Sequence, residues 1–159
     1  MKLKSKLETL EGTLLVQKIY KDGSIETVVN DPNMIMLSSK QYILSTCYAT
    51  SGTFDPINTL KVGVGGTVDP DGLYPKAVTQ NLLTLFNTLL TVSTSYTVNN
   101  TVPSVTFISD LDQGTGNGSL ITEAGLFRQS GVMFNIKTFP GIPKTSEFSL
   151  HFEWTIKIA

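Results

Sequence analysis

Phe148-Ser149-Leu150-His151-Phe152-Glu153-Trp154-Thr155-Ile156-Lys157-Ile158 alternates apolar and polar residues without a fault. Successive side chains of an extended strand point to opposite faces, so this stretch predicts a β-strand with one oily face and one wet face. A helix would scatter the same apolar side chains around its circumference. Burial of the oily face is worth roughly 1.5–3 kcal/mol per large side chain, as an upper estimate. A strand of this weight is expected at the centre of the core.

Working outward, most of the remaining chain also reads as strand. Leu120 to Phe127 and Val132 to Phe139 flank a turn at Gln129-Ser130-Gly131. Pro140-Gly141-Ile142-Pro143 is expected to break the chain before the final strand. Ser93 to Val98 and Ser104 to Leu111 read as strands on either side of a turn at Asn99-Asn100, and Gln113 to Gly118 reads as a flexible glycine-rich loop. Near the start, Thr13 to Tyr20 and Ser24 to Val29 predict a hairpin around Lys21-Asp22-Gly23-Ser24, because Asp-Gly readily supplies positive φ angles. Thr59 to Val64 is a further short strand, and residues 67–75 read as a loop rich in Asp, Pro and Gly.

Two stretches carry a helical signal. Ser38 with Gln41 forms a capping-box pattern, and Leu37 with Tyr42 is placed to form the accompanying hydrophobic staple. Ile43 and Cys47 continue that stripe, with Gly52 as a stop. Val78, Leu82, Leu85, Phe86 and Leu89 also fit a helical face, weakened by the interleaved threonines. Short connections between strands favour antiparallel pairing. The expected fold is therefore mainly β, an antiparallel β-sandwich with one or two short α-helices. It is expected to form a single domain over residues 12–159, preceded by an N-terminal arm or frayed segment over residues 1–11.

Composition sets the bounds. A chain of 159 residues with 40% hydrophobic residues suits one domain with a sizeable core. Charged residues make up only 16%, against roughly 25% in an ordinary soluble protein, and Thr, Ser and Asn supply the polarity instead. The net charge of −1 gives the whole chain no electrostatic footprint for nucleic acid. Lys2, Lys4 and Lys6 are diluted by Glu8 and Glu11 and read as a solvated terminus. No apolar run is long enough to span a membrane as a helix. The start lacks the pattern of a secretory signal, so folding in a cytoplasm is expected.

Candidate chemistry is thin, and each candidate has a plain structural reading. Cys47 is the only cysteine and His151 the only histidine, so an intramolecular disulfide and a Cys/His zinc site are both excluded within one chain. Cys47 reads as a small buried hydrophobe. Gly63, Gly65 and Gly66 follow a strand, but neither the Lys-Ser/Thr pair of a phosphate loop nor the third glycine of a dinucleotide fingerprint is present. Asp69 with Asp71, and Asp110 with Asp112, are weak calcium candidates and read better as turn residues accepting backbone N–H groups. His151 lies on the wet face of the last strand, where a cross-strand polar partner or plain exposure is expected. Glu123 lies between apolar residues and reads as a carboxylate satisfying backbone donors at a strand bend. Glu123 and Glu153 have no fixed separation that would make them a glycosidase pair. Asn99-Asn100-Thr101 and Asn117-Gly118-Ser119 match the glycosylation sequon but read as turn chemistry. No catalytic, cofactor-binding or metal-ligating residue is assigned, and no cofactor is expected.

Several blocks, in order, resemble a family of small virion structural proteins of tailed bacteriophages. Asn33-Met34-Ile35 is similar to that family's entry to a short helix. Leu60-Lys61-Val62-Gly63-Val64-Gly65-Gly66-Thr67 resembles its strand and glycine turn, with Val64 where threonine is usual, and Thr79 with Leu82 fits the motif that follows. Ile121-Thr122-Glu123-Ala124-Gly125-Leu126-Phe127 is the most specific match. Met133-Phe134, Phe139-Pro140-Gly141-Ile142-Pro143-Lys144 and Leu150-His151-Phe152-Glu153-Trp154-Thr155-Ile156 resemble the family's closing blocks. The resemblance implies a non-enzymatic component of the tail, baseplate, collar or fibre-attachment region, assembled in the host cytoplasm into the virion. Other virion proteins and copies of itself in a homo-oligomer are the implied partners.

Two other roles suit a β-sandwich. One is a capsid decoration protein. The other is a receptor- or glycan-binding module of a fibre, with loops 67–75 and 112–118 as binding edges and Tyr74 as the one clear loop aromatic. An enzyme ranks last, for want of a convergent acid, base or nucleophile.

Overall fold

The computed structural model describes residues 10–35, 39, 42–43, 54–64, 92–99, 101 and 103–158. The ten strands among them form two five-stranded antiparallel sheets that close on each other as a β-sandwich. The chain opens with β1 (Leu10–Tyr20) and returns through β2 (Ile25–Pro32), joined by the expected turn with Gly23 at φ 85°. β1 starts at Leu10, inside the segment read as an arm. β3 (Met34–Ile35) and β4 (Ile57–Gly63) lie in the second sheet, followed by β5 (Val92–Ser93). β6 (Ser95–Asn99) and β7 (Ser104–Leu111) belong to the first sheet. β8 (Leu120–Arg128) and β9 (Met133–Pro143) form a hairpin in the second, and β10 (Phe148–Ile158) returns to the first.

The first sheet runs β2-β1-β10-β7-β6 and the second β3-β9-β8-β4-β5. β10 is therefore the central strand of its sheet, as its alternation predicts. Leu150, Phe152 and Trp154 are fully buried, and Phe148 and Ile156 lie in the same core. They face Leu60 and Val62 of β4, Ile121, Ala124 and Leu126 of β8, and Phe134 and Phe139 of β9. Leu14 and Val16 of β1 and Leu111 of β7 continue the layer on either side. The wet face of the same sheet carries a row of threonines. Thr13 pairs with Thr155, Thr155 with Thr106, and Thr106 with Thr97, with the Thr106 and Thr155 hydroxyls 2.8 Å apart.

Two expectations need correction. The stretch Ser93–Val98 is not one strand: the chain changes sheets at Thr94, whose N–H donates to the Asn58 carbonyl. Pro140–Pro143 does not break β9, which pairs with β8 as far as Leu120↔Pro143 and Ile121↔Ile142. β3 covers the other side of β9 only at Ile136 and Asn135, so the prolines lie where no third strand among the described residues needs their missing N–H groups. The break comes afterwards, at residues 144–147. Helical structure is confined to Ser39, Tyr42 and Ile43 among the described residues. Ser38, Gln41, Cys47, Gly52 and the apolar stripe over 78–91 lie outside the described residues.

Candidate functional site

The blocks singled out in the sequence come together at strand joins. Gly63 stands opposite Glu123 across the β4–β8 ladder. A side chain at Gly63 would occupy the space of the Glu123 carboxylate, which is fully buried. The ladder between β8 and β9 shifts register at Ile121/Glu123, so Glu123 does sit at a strand bend, and the residue is not without a partner. A second glycine plays the same part in the other sheet. Gly12 leaves room for the side chain of Asn33, and its carbonyl accepts the Asn33 N–H at 2.9 Å. In the second sheet, the Asn135 carboxamide oxygen of β9 accepts the Leu126 N–H of β8 at 3.1 Å within the buried layer.

Lys144 is a larger knot. It follows β9 where the chain crosses back to the first sheet, beside the crossing 112–119 that leads to β8. The backbones of the two crossings are joined by Gly118 N–H to the Lys144 carbonyl and Lys144 N–H to the Ser119 carbonyl, both at 2.9 Å. The buried ammonium then donates to the Thr145 carbonyl at 2.8 Å, Asn117 Oδ1 at 3.1 Å and the Gln113 carbonyl at 3.3 Å. It also lies 5.3 Å from the centre of the Phe148 ring. Burial lowers the Lys144 pKa, opposed by the charge of Asp112. Asp112 is itself held below the usual carboxylate range by the Thr115 hydroxyl and by backbone N–H groups of Gly114 and Thr115. Asp112 is thus the turn residue expected, and the loop read as flexible is pinned from within by a lysine.

Asp110 is a correction. It is not a turn residue but pairs with His151 across β7 and β10, with Oδ1 2.6 Å from Nδ1. Glu153 Oε1 lies 3.2 Å from Nε2 on the other side of the ring. Burial pulls the imidazole pKa down, but the hydrogen bonds and charges of both carboxylates outweigh it, and the net shift is upward. The arrangement suits a doubly protonated ring with each N–H donating to a carboxylate. The carboxylates hold opposite ends of the ring and converge on no common point, and both nitrogens are committed. The trio therefore has neither the geometry of a metal site nor a free nitrogen for a general base. Among the described residues no group of His, Cys, Asp and Glu has metal-holding geometry.

A third polar corner ties the helical turn to the β8–β9 hairpin. Ser39 donates to the Met133 carbonyl, and the Asp55 N–H donates to the Tyr42 hydroxyl at 3.0 Å. The Asp55 carboxylate accepts the Ser130 N–H at 2.8 Å and its hydroxyl at 2.7 Å, beside Arg128 at 3.3 Å. Burial would lift the Asp55 pKa, but Ser130 and Arg128 outweigh it and hold it below the ordinary range. Arg128 in turn stacks 4.5 Å over the Tyr42 ring.

The sequons are turn chemistry, as read. Asn99 Oδ1 accepts the Thr101 N–H at 2.9 Å, and Asn117 donates to the Gln113 carbonyl at 3.0 Å. Gly65, Gly66, Asp69, Asp71, Tyr74 and Lys2, Lys4 and Lys6 lie outside the described residues. The sequence reading missed an apolar cavity of about 530 Å³ at the β6–β7 side, with Val98, Val105, Phe107, Ile156 and Phe134 in its wall. It also missed the β6 edge beside it, because strand pattern alone does not say which strand is outermost. No described helix is long and apolar enough to cross a membrane. Comparison with family models, with curated proteins and with solved structures finds no match.

Proposed function

We propose that this chain is a non-enzymatic structural component of a tailed-phage particle, working by protein–protein assembly in the tail, baseplate, collar or fibre-attachment region. The observation that carries the reading is the use to which the resembling blocks are put. Asn33 fills the space above Gly12, Glu123 fills the space above Gly63, and Lys144 ties the two crossings between sheets. Each of these three residues helps to hold the frame together. Such a frame presents a low-charge surface, in which burial against neighbours meets little desolvation cost from ionised groups.

The reading is tested by growing the phage that encodes this chain with an early stop codon in its gene. Incomplete particles, lacking a tail-associated part in negative-stain images, are expected. Complete and infectious particles made without the chain would refute the proposal.

A further inference from the structure

We infer that two copies of this chain pair through β6, edge to edge and antiparallel about Thr97, to make one continuous ten-stranded sheet. The inference goes beyond the assembly reading by naming the surface and the occupant.

Sheet edges invite pairing, and natural proteins blunt them with charge, proline, bulges or shortness. Three of the four edges of the described sheets are blunted. β3 and β5 are two residues long. β2 carries Glu26, Asp31 and Pro32 and has a register shift against β1. β6 has none of these devices. Its five residues, Ser95-Tyr96-Thr97-Val98-Asn99, pair with β7 on one side, and no described strand lies on the other. From Ala77 to Ser109 the chain contains no Asp, Glu, Lys, Arg or His.

That neutrality selects the occupant. A two-fold axis sets every residue of an edge against the same stretch of its copy, so a charged edge repels itself and an uncharged one does not. Antiparallel pairing about Thr97 places Tyr96 against Val98 of the second copy, and Ser95 against Asn99. Tyr96 and Val98 are the outermost members of the inward-facing rows that run back through Phe107 to Trp154 and through Val105 to Ile156. They are 67% and 56% exposed, unusual for the core-side face of a sandwich. Val98 forms part of the cavity wall, so Tyr96 of the second copy would stand at its rim. On the opposite face, the threonine row ends at Thr97 and would continue unbroken into the copy. A five-residue strand pair buries less than the roughly 1,200 Å² of a stable complex, so the dimer is expected at micromolar concentrations and above.

The test is sedimentation velocity of the full chain from about 1 to about 500 µM, spanning the affinity expected for an interface of this size. Wild type is expected to shift from the 17.3 kDa monomer to twice that mass. Thr97→Lys and Thr97→Glu each place like charges across the axis on an exposed side chain. Each is expected to stay monomeric with an unchanged far-ultraviolet spectrum, and their equimolar mixture to recover the dimer. Wild type that stays monomeric throughout, a Thr97→Lys variant that dimerises as wild type does, or a mixture of the two variants that stays monomeric would each overturn the inference. A monomer that is still built into particles would sink this pairing and leave the assembly reading standing.

Discussion

Replacing Gly63 by alanine probes the join between β4 and β8. The added methyl would sit 2.5 Å from Cγ and 2.7 Å from Cδ of Glu123, where ordinary contact begins at 3.4 Å. Glu123 is fully buried and has no solvent to swing into, so the strands must part or the side chain must leave its rotamer. Overpacking of this kind costs about 1–3 kcal/mol. Gly63 does not have a positive φ, so alanine also restricts the unfolded chain and returns about 0.4–1 kcal/mol. The net loss is therefore about 1–2 kcal/mol, which in a domain of this size lowers the melting temperature by roughly 2–8 °C. Urea unfolding followed by circular dichroism measures it directly. Glu123→Ala alone should cost more, because it leaves a cavity where a large, fully buried side chain stood. With Glu123 already removed, Gly63→Ala should cost nothing, giving a coupling of about 1–2 kcal/mol in the double-mutant cycle. A Gly63→Ala chain as stable as wild type, or an equal cost with and without Glu123, would refute the reasoning.

Trp154 is fully buried, yet its indole N–H has no hydrogen-bond partner among the described residues. Trp154→Phe should therefore cost less than about 1.5 kcal/mol, since lost volume is offset by removal of an orphan donor, whereas Trp154→Ala should cost about 3–5 kcal/mol; chemical denaturation read by circular dichroism separates them. The folded pKa of His151 lies above its ordinary value, so its contribution is complete below about pH 6.5 and is lost as the pH rises through the folded pKa. Melting curves should show wild type losing stability above that point relative to His151→Gln, and parallel profiles would contradict the clamp. Lys144→Met removes the ammonium that joins Asn117 Oδ1 to the Gln113 and Thr145 carbonyls and should destabilise by about 1–3 kcal/mol. Limited proteolysis should cut that variant first within residues 112–119, and an unchanged digestion pattern would count against the knot.

The strands were legible in the sequence because period-2 alternation is written into each buried face. Phe148–Ile158 announced both its conformation and its central position, and the hairpins at Gly23 and Gly131 announced themselves by glycines at positive φ. Partner choice was not legible. Val92 to Asn99 contains neither glycine nor proline, and nothing local says that Thr94 hands the chain from one sheet to the other. The prolines of β9 misled because proline forbids a ladder bond only where a partner strand needs one, and on the side of β9 away from β8 no described strand lies beside them. Among the polar groups, His151 and Glu123 were readable as structural from their flanking residues. Lys144 and the Asp110–His151 pair were not, since both depend on segments that meet only after the two sheets close.

The assembly role is tested most directly by cryo-electron microscopy of purified particles from the phage that encodes this chain. The account predicts density for two packed five-stranded sheets in the tail-associated part of the particle, with the bulk of Trp154 and Phe152 between them. Particles whose tail, baseplate, collar and fibre attachments are fully accounted for by other proteins would contradict it.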